Sequence, residues 1–440
     1  MSFNLFCRII SSKGGNVMEI VKRFFTLIFS FIFFSVIVSQ PLKASAQEKA
    51  ITVLLDGYPL EFEVAPQLED GTTLVPFRAI AEALNVNVDW DDISQTVTAT
   101  YKNSIVKLQV GNKIAYKNNT PSKLLVAPKI VNNRVLIPLR FFSEAFGFDV
   151  KWEQETYTVK INSPAREMSV IGFYALGDEK TSSWTNLFGK KYPEYDTGNT
   201  QYFTSIALGW YSLDSSGNLL TKSSTGWQRP EGWEKVLEAL SNYKLKSEMV
   251  VHVTDGDGTL SNLLFSDEAV RKAISAISEE AKLYDGINLD FEGLGLTEKE
   301  EDIAKIKEKF TEFVELLREK IGSSKTITLT LHAPNSAYKG YDYKLLGQVA
   351  DKIIVMAYDY GQKPEPEKLV IQAIEETLKE VPKEKVILGI SIPSETPESF
   401  AIKVGLAKRY GLNGIALWRL GLINDEMWEV LKTSIIPAKT

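Results

Sequence analysis

The chain has 440 residues, 44% of them hydrophobic and 24% charged, and a formal net charge of −6. This composition excludes a disordered polypeptide, and the length calls for about two or three domains. An acidic balance gives no general attraction for nucleic acid or anionic lipid, and only two histidines, His252 and His332, leave too few imidazoles for a zinc or copper site.

The first segment stands apart from the rest. An unbroken apolar run over 24–38 follows Lys22 and Arg23 and precedes Ala44-Ser45-Ala46, a small-x-small signature. This predicts a signal peptide over residues 1–46, cut before Gln47, and a secreted, cell-wall-associated protein; the alternative is an uncleaved membrane anchor. Translation is expected to start at Met18, because MEIVKRFF opens a conventional signal and Lys13-Gly14-Gly15 can be encoded by a ribosome-binding sequence. Cleavage removes five basic residues (Arg8, Lys13, Lys22, Arg23, Lys43) and one acidic residue (Glu19), taking the net charge from −6 to −10. It also removes Cys7, the sole cysteine, so no disulfide is expected.

Residues 47–162 contain a repeat at an offset of 62. Pro76/Pro138, Arg78/Arg140, Glu82/Glu144, Ala83/Ala145, Val88/Val150, Trp90/Trp152 and Val97/Val159 coincide. Each copy reads as a strand, a helix opened by proline, and two strands joined by a polar turn, which predicts a duplicated α+β domain. Trp90 and Trp152 are expected to fill equivalent cores rather than grip glycan. The pattern resembles the copper amine oxidase N-terminal-like domain, found repeated in secreted proteins. Both histidines lie outside it, so no copper is inferred.

A connector over 163–168, rich in proline and small residues, leads into residues 169–440. There, eight short apolar runs alternate with amphipathic helical patterns, starting near Ser169, Tyr202, Glu248, Asp285, Thr326, Lys352, Lys385 and Gly414. Eight strand-then-helix units predict a (β/α)8 TIM barrel, so the fold class is α/β with an N-terminal α+β domain.

The fourth run, YDGINLDFEGLG over 284–295, carries polar residues at every second position. On a strand, Asn288, Asp290 and Glu292 share one face, and Ile287, Leu289 and Phe291 share the other. In a barrel the apolar set packs against the helices. The polar set points inward, with Glu292 nearest the mouth. A calcium loop is rejected, since the glutamate it requires at its twelfth position falls on Lys299. A purely structural polar ladder remains an alternative.

Asp285, Gly286, Asp290 and Glu292 match the Asp-Gly-x-Asp-x-Asp-x-Glu strand of glycoside hydrolase family 18, which this region resembles. Met356-Ala357-Tyr358-Asp359 and Trp418 match the same family's sixth and eighth strands. The resemblance implies that Glu292 is the general acid, while Asp290 orients the substrate's 2-acetamido group and Tyr358 binds its carbonyl. Trp418 would form the sugar platform, and Asn288, Met356, Asp359 and Tyr174 would complete the substrate site. No cofactor or metal is implied. Two departures stand out: Asn288 replaces the family's second aspartate, and HVTDGDGTL from His252 replaces an expected Ser-x-Gly-Gly. His332 is expected to be structural. The implied partner is an N-acetylglucosamine-containing polysaccharide, with peptidoglycan favoured and chitin the alternative. A glycan-binding surface protein without hydrolytic activity is a further alternative.

Overall fold

The computed structural model describes residues 49–438 apart from 176–181, 223–225, 227 and 297–298. The segment read as a signal peptide, with Met18 and Cys7, lies outside the described residues. Among those described, no helix is long and apolar enough to cross a membrane.

The repeat folds as two interlocked copies. Strands Thr72–Pro76 and Arg134–Pro138 pair antiparallel with Ile137 opposite Val75, so the copies meet along a pseudo-twofold seam. Each strand runs through its proline into a short helix, Phe77–Ala83 or Leu139–Ala145. The hairpins that follow take different partners. That of the first copy, Asn87–Asp91 with Thr96–Tyr101, grows into a five-stranded sheet, whereas that of the second pairs with Thr52–Leu55. Trp90 and Trp152 are half-buried against the shared core, and Trp152 Nε1 donates to Gln154 Oε1 at 2.8 Å. Trp90 Nε1 donates likewise to Asp92.

The remainder is a closed barrel of parallel strands: β1 Arg166–Tyr174, β2 Ser205–Leu213, β3 Lys246–Thr254, β4 Gly286–Glu292, β5 Thr326–His332, β6 Lys352–Met356, β7 Val386–Ser391 and β8 Gly414–Trp418. Pairing of Ser169 with Gly414 closes β1 onto β8. The barrel begins inside the segment read as a connector, because Arg166 to Met168 already pair with a terminal strand, Ile435–Pro437.

Period-two geometry divides the side chains. Ile171, Phe173, Ala207, Val250, Ile354, Ile387 and Ala416 form an inner cluster. On β4, Ile287, Leu289 and Phe291 face outward, and Phe291 stacks within 5.7 Å of Phe310 and 5.4 Å of Phe313 on the helix Glu300–Ile321. That helix spaces Ile306, Phe310, Phe313, Val314 and Leu317 along one buried face. It opens with Glu300, Glu301 and Asp302 and closes near Arg318 and Lys320, charges that suit its dipole. Burying a side chain such as Phe291 contributes roughly 1.5–3 kcal/mol, so β4 is fixed from outside, and its polar residues have only the interior to occupy.

Candidate active site

Asn288 is fully buried. Its Nδ2 donates to Glu248 Oε2 on β3 at 3.2 Å, and its Oδ1 accepts from Thr330 Oγ1 on β5 at 2.8 Å. Glu248 also accepts from Ser205 Oγ on β2 at 3.2 Å and lies 3.7 Å from Lys352 Nζ on β6. Asn288 is therefore one link of a polar belt across five strands, and the structural ladder weighed as an alternative exists beneath the chemistry. The expectation that Asn288 binds substrate is corrected, since both its polar ends are taken. A neutral amide suits the place; a third carboxylate between Glu248 and Asp290 would add like charge where water is excluded.

One inward step higher stands Asp290, opposite His252 in the β3–β4 register; Glu292 follows at the rim, opposite Thr254. Asp290 and His252 are buried, and Glu292 keeps 30% of its side chain exposed. Glu292 Oε1 lies 3.7 Å from His252 Nε2. Burial pushes the Asp290 carboxyl well up, and neighbouring Glu292 raises it further against a smaller opposing pull from His252. Burial also raises Glu292, but its bond to His252, the charge of His252 and the nearby His332 outweigh this and leave it below the usual range. Burial lowers His252, and the two carboxylates more than reverse this. Of the two carboxyls, Asp290 is thus the one that holds a proton more tightly. Asp290 Oδ1 is buried with no hydrogen-bond partner among the described residues, a setting that disfavours the charged carboxylate.

His252, Asp290 and Glu292 each bring a ligand-type atom within 4.8 Å of the others. The donor set does not favour a resident cation: one imidazole inclined to be charged and one carboxyl inclined to be protonated would both have to give up protons.

Tyr358 follows β6 and is half-buried. Its ring fits against Gly389 of β7, where a Cβ would stand 3.3 Å from Tyr358 Cε1 and 2.8 Å from the Val355 carbonyl. Burial raises its hydroxyl well above the ordinary value, and so do the charges of Asp290 and Glu292, which places the phenol among the acids and keeps it a donor. Met356 is buried between His332 and Gly389 in the strand register. Trp418 lies over the inner cluster with its ring 5.6 Å from Phe173, and the Trp418–Arg419 peptide is cis. Asp359 is exposed, and its backbone N–H donates to buried Glu365 at 3.0 Å.

Tyr174 is a second correction. It packs outward, buried, with its ring 6.2 Å from Trp210. The inward phase of β1 falls on Ile171 and Phe173, so the next residue must face the helices.

At the mouth a hollow of about 250 Å³ is lined by Thr254, Asp255, Glu292, Gly293, His332 and Tyr338 among others. His332, read as structural, stands in this wall with its ring stacked 3.8 Å from Tyr338. The segment after His252 supplies the opposite side. Asp255 N–H donates to the Glu292 carbonyl at 2.9 Å, and Gly293, at φ 87°, leaves room for that approach. Sequence reasoning missed His252, although alternation along Glu248, Val250, His252 and Thr254 marks it as inward.

The sequence pattern described as "Glycosyl hydrolases family 18" matches residues 171–394, and that described as "Copper amine oxidase N-terminal domain" matches 54–161. The chain belongs to glycosyl hydrolase family 18. Curated relatives in Bacillus subtilis (strain 168) include YdhD, provisionally named a sporulation-specific glycosylase, 24% identical over 43% of this chain and 46% of its own length. The glycosylase YvbX, named as uncharacterized, is 23% identical over 50% of this chain and 66% of its own. The chain thus spans less than two thirds of either relative. Among solved structures, the Bacillus cereus spore cortex-lytic enzyme SleL matches with a TM-score of 0.51 at 16% identity, covering 63% of this chain and 77% of that one. The chitinase of Chromobacterium violaceum ATCC 12472 matches at 0.50 and 18%, covering 60% and 98%. These likenesses establish the barrel fold.

Within the family 18 motif, the first two residues serve the barrel's foot and the last two its mouth. Asp285 accepts from Ser247 N at 2.9 Å and lies 3.2 Å from Lys246 Nζ; burial raises its carboxyl, and these bonds together bring it below the usual range. At Gly286 a Cβ would meet Thr326 Oγ1 at 2.2 Å and the Thr326 carbonyl at 3.2 Å, so a larger residue there requires the Thr326 side chain to turn aside.

Proposed function

We propose that this chain is a secreted, retaining glycosidase that cleaves β-1,4 linkages after N-acetylglucosamine in peptidoglycan, with the substrate's own 2-acetamido group as nucleophile. The observation that carries this reading is the unlike pair on β4: Asp290, buried in the barrel with its carboxyl pushed up by burial, and Glu292 two residues on, which lines the hollow at the rim from the same strand. Two acids on one wall leave the opposite face of the sugar without a water-activating partner from this pair, a geometry that suits an internal nucleophile rather than the two-carboxylate schemes.

In the proposed reaction the acetamido carbonyl oxygen bonds to the anomeric carbon as the glycosidic C–O bond breaks. The bonding pair leaves with the glycosidic oxygen, and Glu292 protonates it. The acetamido N–H faces Asp290, whose proton passes to Glu292 as the N–H arrives. Tyr358 donates its O–H to the acetamido oxygen, and the Trp418 ring lies under the sugar's C–H face. Water then opens the oxazolinium, giving its proton back to Glu292, and two inversions leave the configuration retained.

Peptidoglycan is favoured because a relative's name ties it to sporulation and because a wall-type companion domain and the signal-like leader suit work outside the cell. The experiment is digestion of purified peptidoglycan and of chitin hexamer by wild type and Glu292→Gln, with reducing ends identified by mass spectrometry. Wild type is expected to release fragments ending in N-acetylglucosamine, and the variant to be slower by about 10²–10⁴-fold. Equal rates would refute the acid assignment. Cleavage of the hexamer alone would move the substrate to chitin, and no product from either would favour a binding protein.

A further inference from the structure

Where the family resemblance leads one to expect Ser-x-Gly-Gly on β3, this chain carries His252, whose side chain is 7% exposed with Nε2 3.7 Å from the acid Glu292. We propose that His252 is a positioning residue that completes a three-group proton relay with Asp290 and Glu292, holding Glu292 at the rim and setting the pH range over which it has a proton to give. This rests on the reading of Glu292 as general acid.

The surroundings define the relay. His252 sees Asp290 and Glu292 from β4. Glu292 in turn sees His332 from β5, while Tyr341, after β5, and Tyr358, after β6, feel both carboxylates. Strand β2 carries no charged residue, and its Tyr211 turns outward to Glu280 and Tyr284. Glu248 and Lys352 lie lower, in the belt. Burial and neighbouring Glu292 favour a proton on Asp290, the two carboxylates favour the cationic form of His252, and His252 favours the ionised form of Glu292.

When a substrate N–H takes up Asp290, that proton moves to Glu292. No proton enters or leaves, and the charge on His252 remains to balance the new Asp290 carboxylate. The same charge makes the carboxyl pair more acidic than it would otherwise be, and so places the alkaline limit of activity lower.

With only two histidines in the chain, their ring protons can be followed one by one by NMR, assigned with His332→Gln. His252 is expected to titrate above the ordinary value near 6.5 in the wild type and to fall clearly in Glu292→Gln. Titration below the ordinary value, or no change in that variant, would overturn the pairing. The second measurement is kcat/KM against pH, in EDTA, on whichever of peptidoglycan and chitin hexamer the wild type cleaves; both have sugar leaving groups that need an acid. His252→Gln is expected to move the alkaline limb up by about one pH unit. A limb that stays in place, even with lower activity, means that His252 only fills space and the relay is wrong; His252→Asn repeats the test if the first variant melts early. Should the wild type cleave neither polymer, the function reading fails while the NMR titration still decides the relay.

Discussion

One residue separates Asp290 from Glu292, yet the first is enclosed by the barrel wall and the second stands at the edge of the hollow. Their carboxyls shift in opposite directions: burial is the largest influence on both and pushes Asp290 well up, whereas for Glu292 the contributions of His252, His332 and Asp290 together outweigh it. The consequence for stability has a definite sign. Asp290 binds its proton more tightly in the folded chain than in the unfolded one. The stability it lends is complete below the unfolded carboxyl value near 3.9 and is lost as pH rises through the folded value. Asp290→Asn removes that loss without changing the shape, so the variant is expected to melt higher than wild type at about pH 7, with the gap closing toward about pH 4. Hydrolysis should fall by about 100-fold or more, since the acetamido group loses its anionic partner. Thermal melts across this pH range check the assignment; a variant that melts below wild type at neutral pH would count against a protonated Asp290.

The loop that leaves β6 shows how an element can aim a side chain from behind. Asp359 adopts φ 64°, a left-handed conformation that costs of order 1 kcal/mol or more for a residue with a Cβ. Buried Glu365 holds it there by accepting the N–H groups of Asp359 at 3.0 Å and Tyr360 at 3.1 Å. Lys403, buried on the helix Pro397–Arg409, donates to the Glu365 carbonyl at 2.7 Å and lies 3.3 Å from Glu395. Glu365→Gln keeps the volume but replaces one acceptor oxygen with an NH₂ that opposes a backbone N–H. It is expected to cost about 1–3 kcal/mol and, by loosening Tyr358, to lower kcat about tenfold with little change in melting cooperativity. Steady-state kinetics beside a melt test this; unchanged kcat in a destabilised variant would detach the loop from the chemistry. Such a device is not legible in a single sequence, because nothing local links Glu365 to residue 359 or Lys403 to either. By contrast, the eight strands and the facing of β4 could be read directly, since period two and the helical spacing around Phe310 and Phe313 are local signals. Tyr174 was misread because its phase on β1 was not followed from Phe173. His252 was overlooked because the expected motif, and not the alternation of β3, governed the reading.

At the scale of the whole molecule, the repeat domain is joined to the barrel at the foot, away from the hollow. The turn at Asp56 and Gly57, both at positive φ, rests on the helix Pro397–Arg409. Asp56 accepts from Ser163 N at 2.8 Å and Ser163 Oγ at 2.6 Å, Lys408 Nζ donates to the Ser163 carbonyl at 3.1 Å, and Arg166 donates to the Lys408 carbonyl at 2.8 Å. A cavity of about 830 Å³ opens beside this junction, lined in part by Glu82, Lys102, Arg166 and Arg409, so the contact is a few fixed points rather than a continuous core. One of those points depends on a missing side chain: a Cβ on Gly405 would meet the Asp56 Cβ at 2.5 Å. Gly405→Leu therefore has to push the turn off the helix and break the Asp56–Ser163 bonds, at an overpacking cost of about 1–3 kcal/mol. The connector around residues 162–165 should then become a site of proteolytic nicking, as exposed linkers are. Turnover of a soluble oligosaccharide should stay within about twofold of wild type, because the acids stand at the other ends of the strands and no belt residue touches Gly405. Limited proteolysis with mass mapping, run beside an oligosaccharide assay, separates the outcomes. A nicked connector with full turnover supports a domain that positions the barrel without taking part in its chemistry, whereas lost turnover with an intact connector would show that the foot of the barrel is mechanically coupled to its mouth.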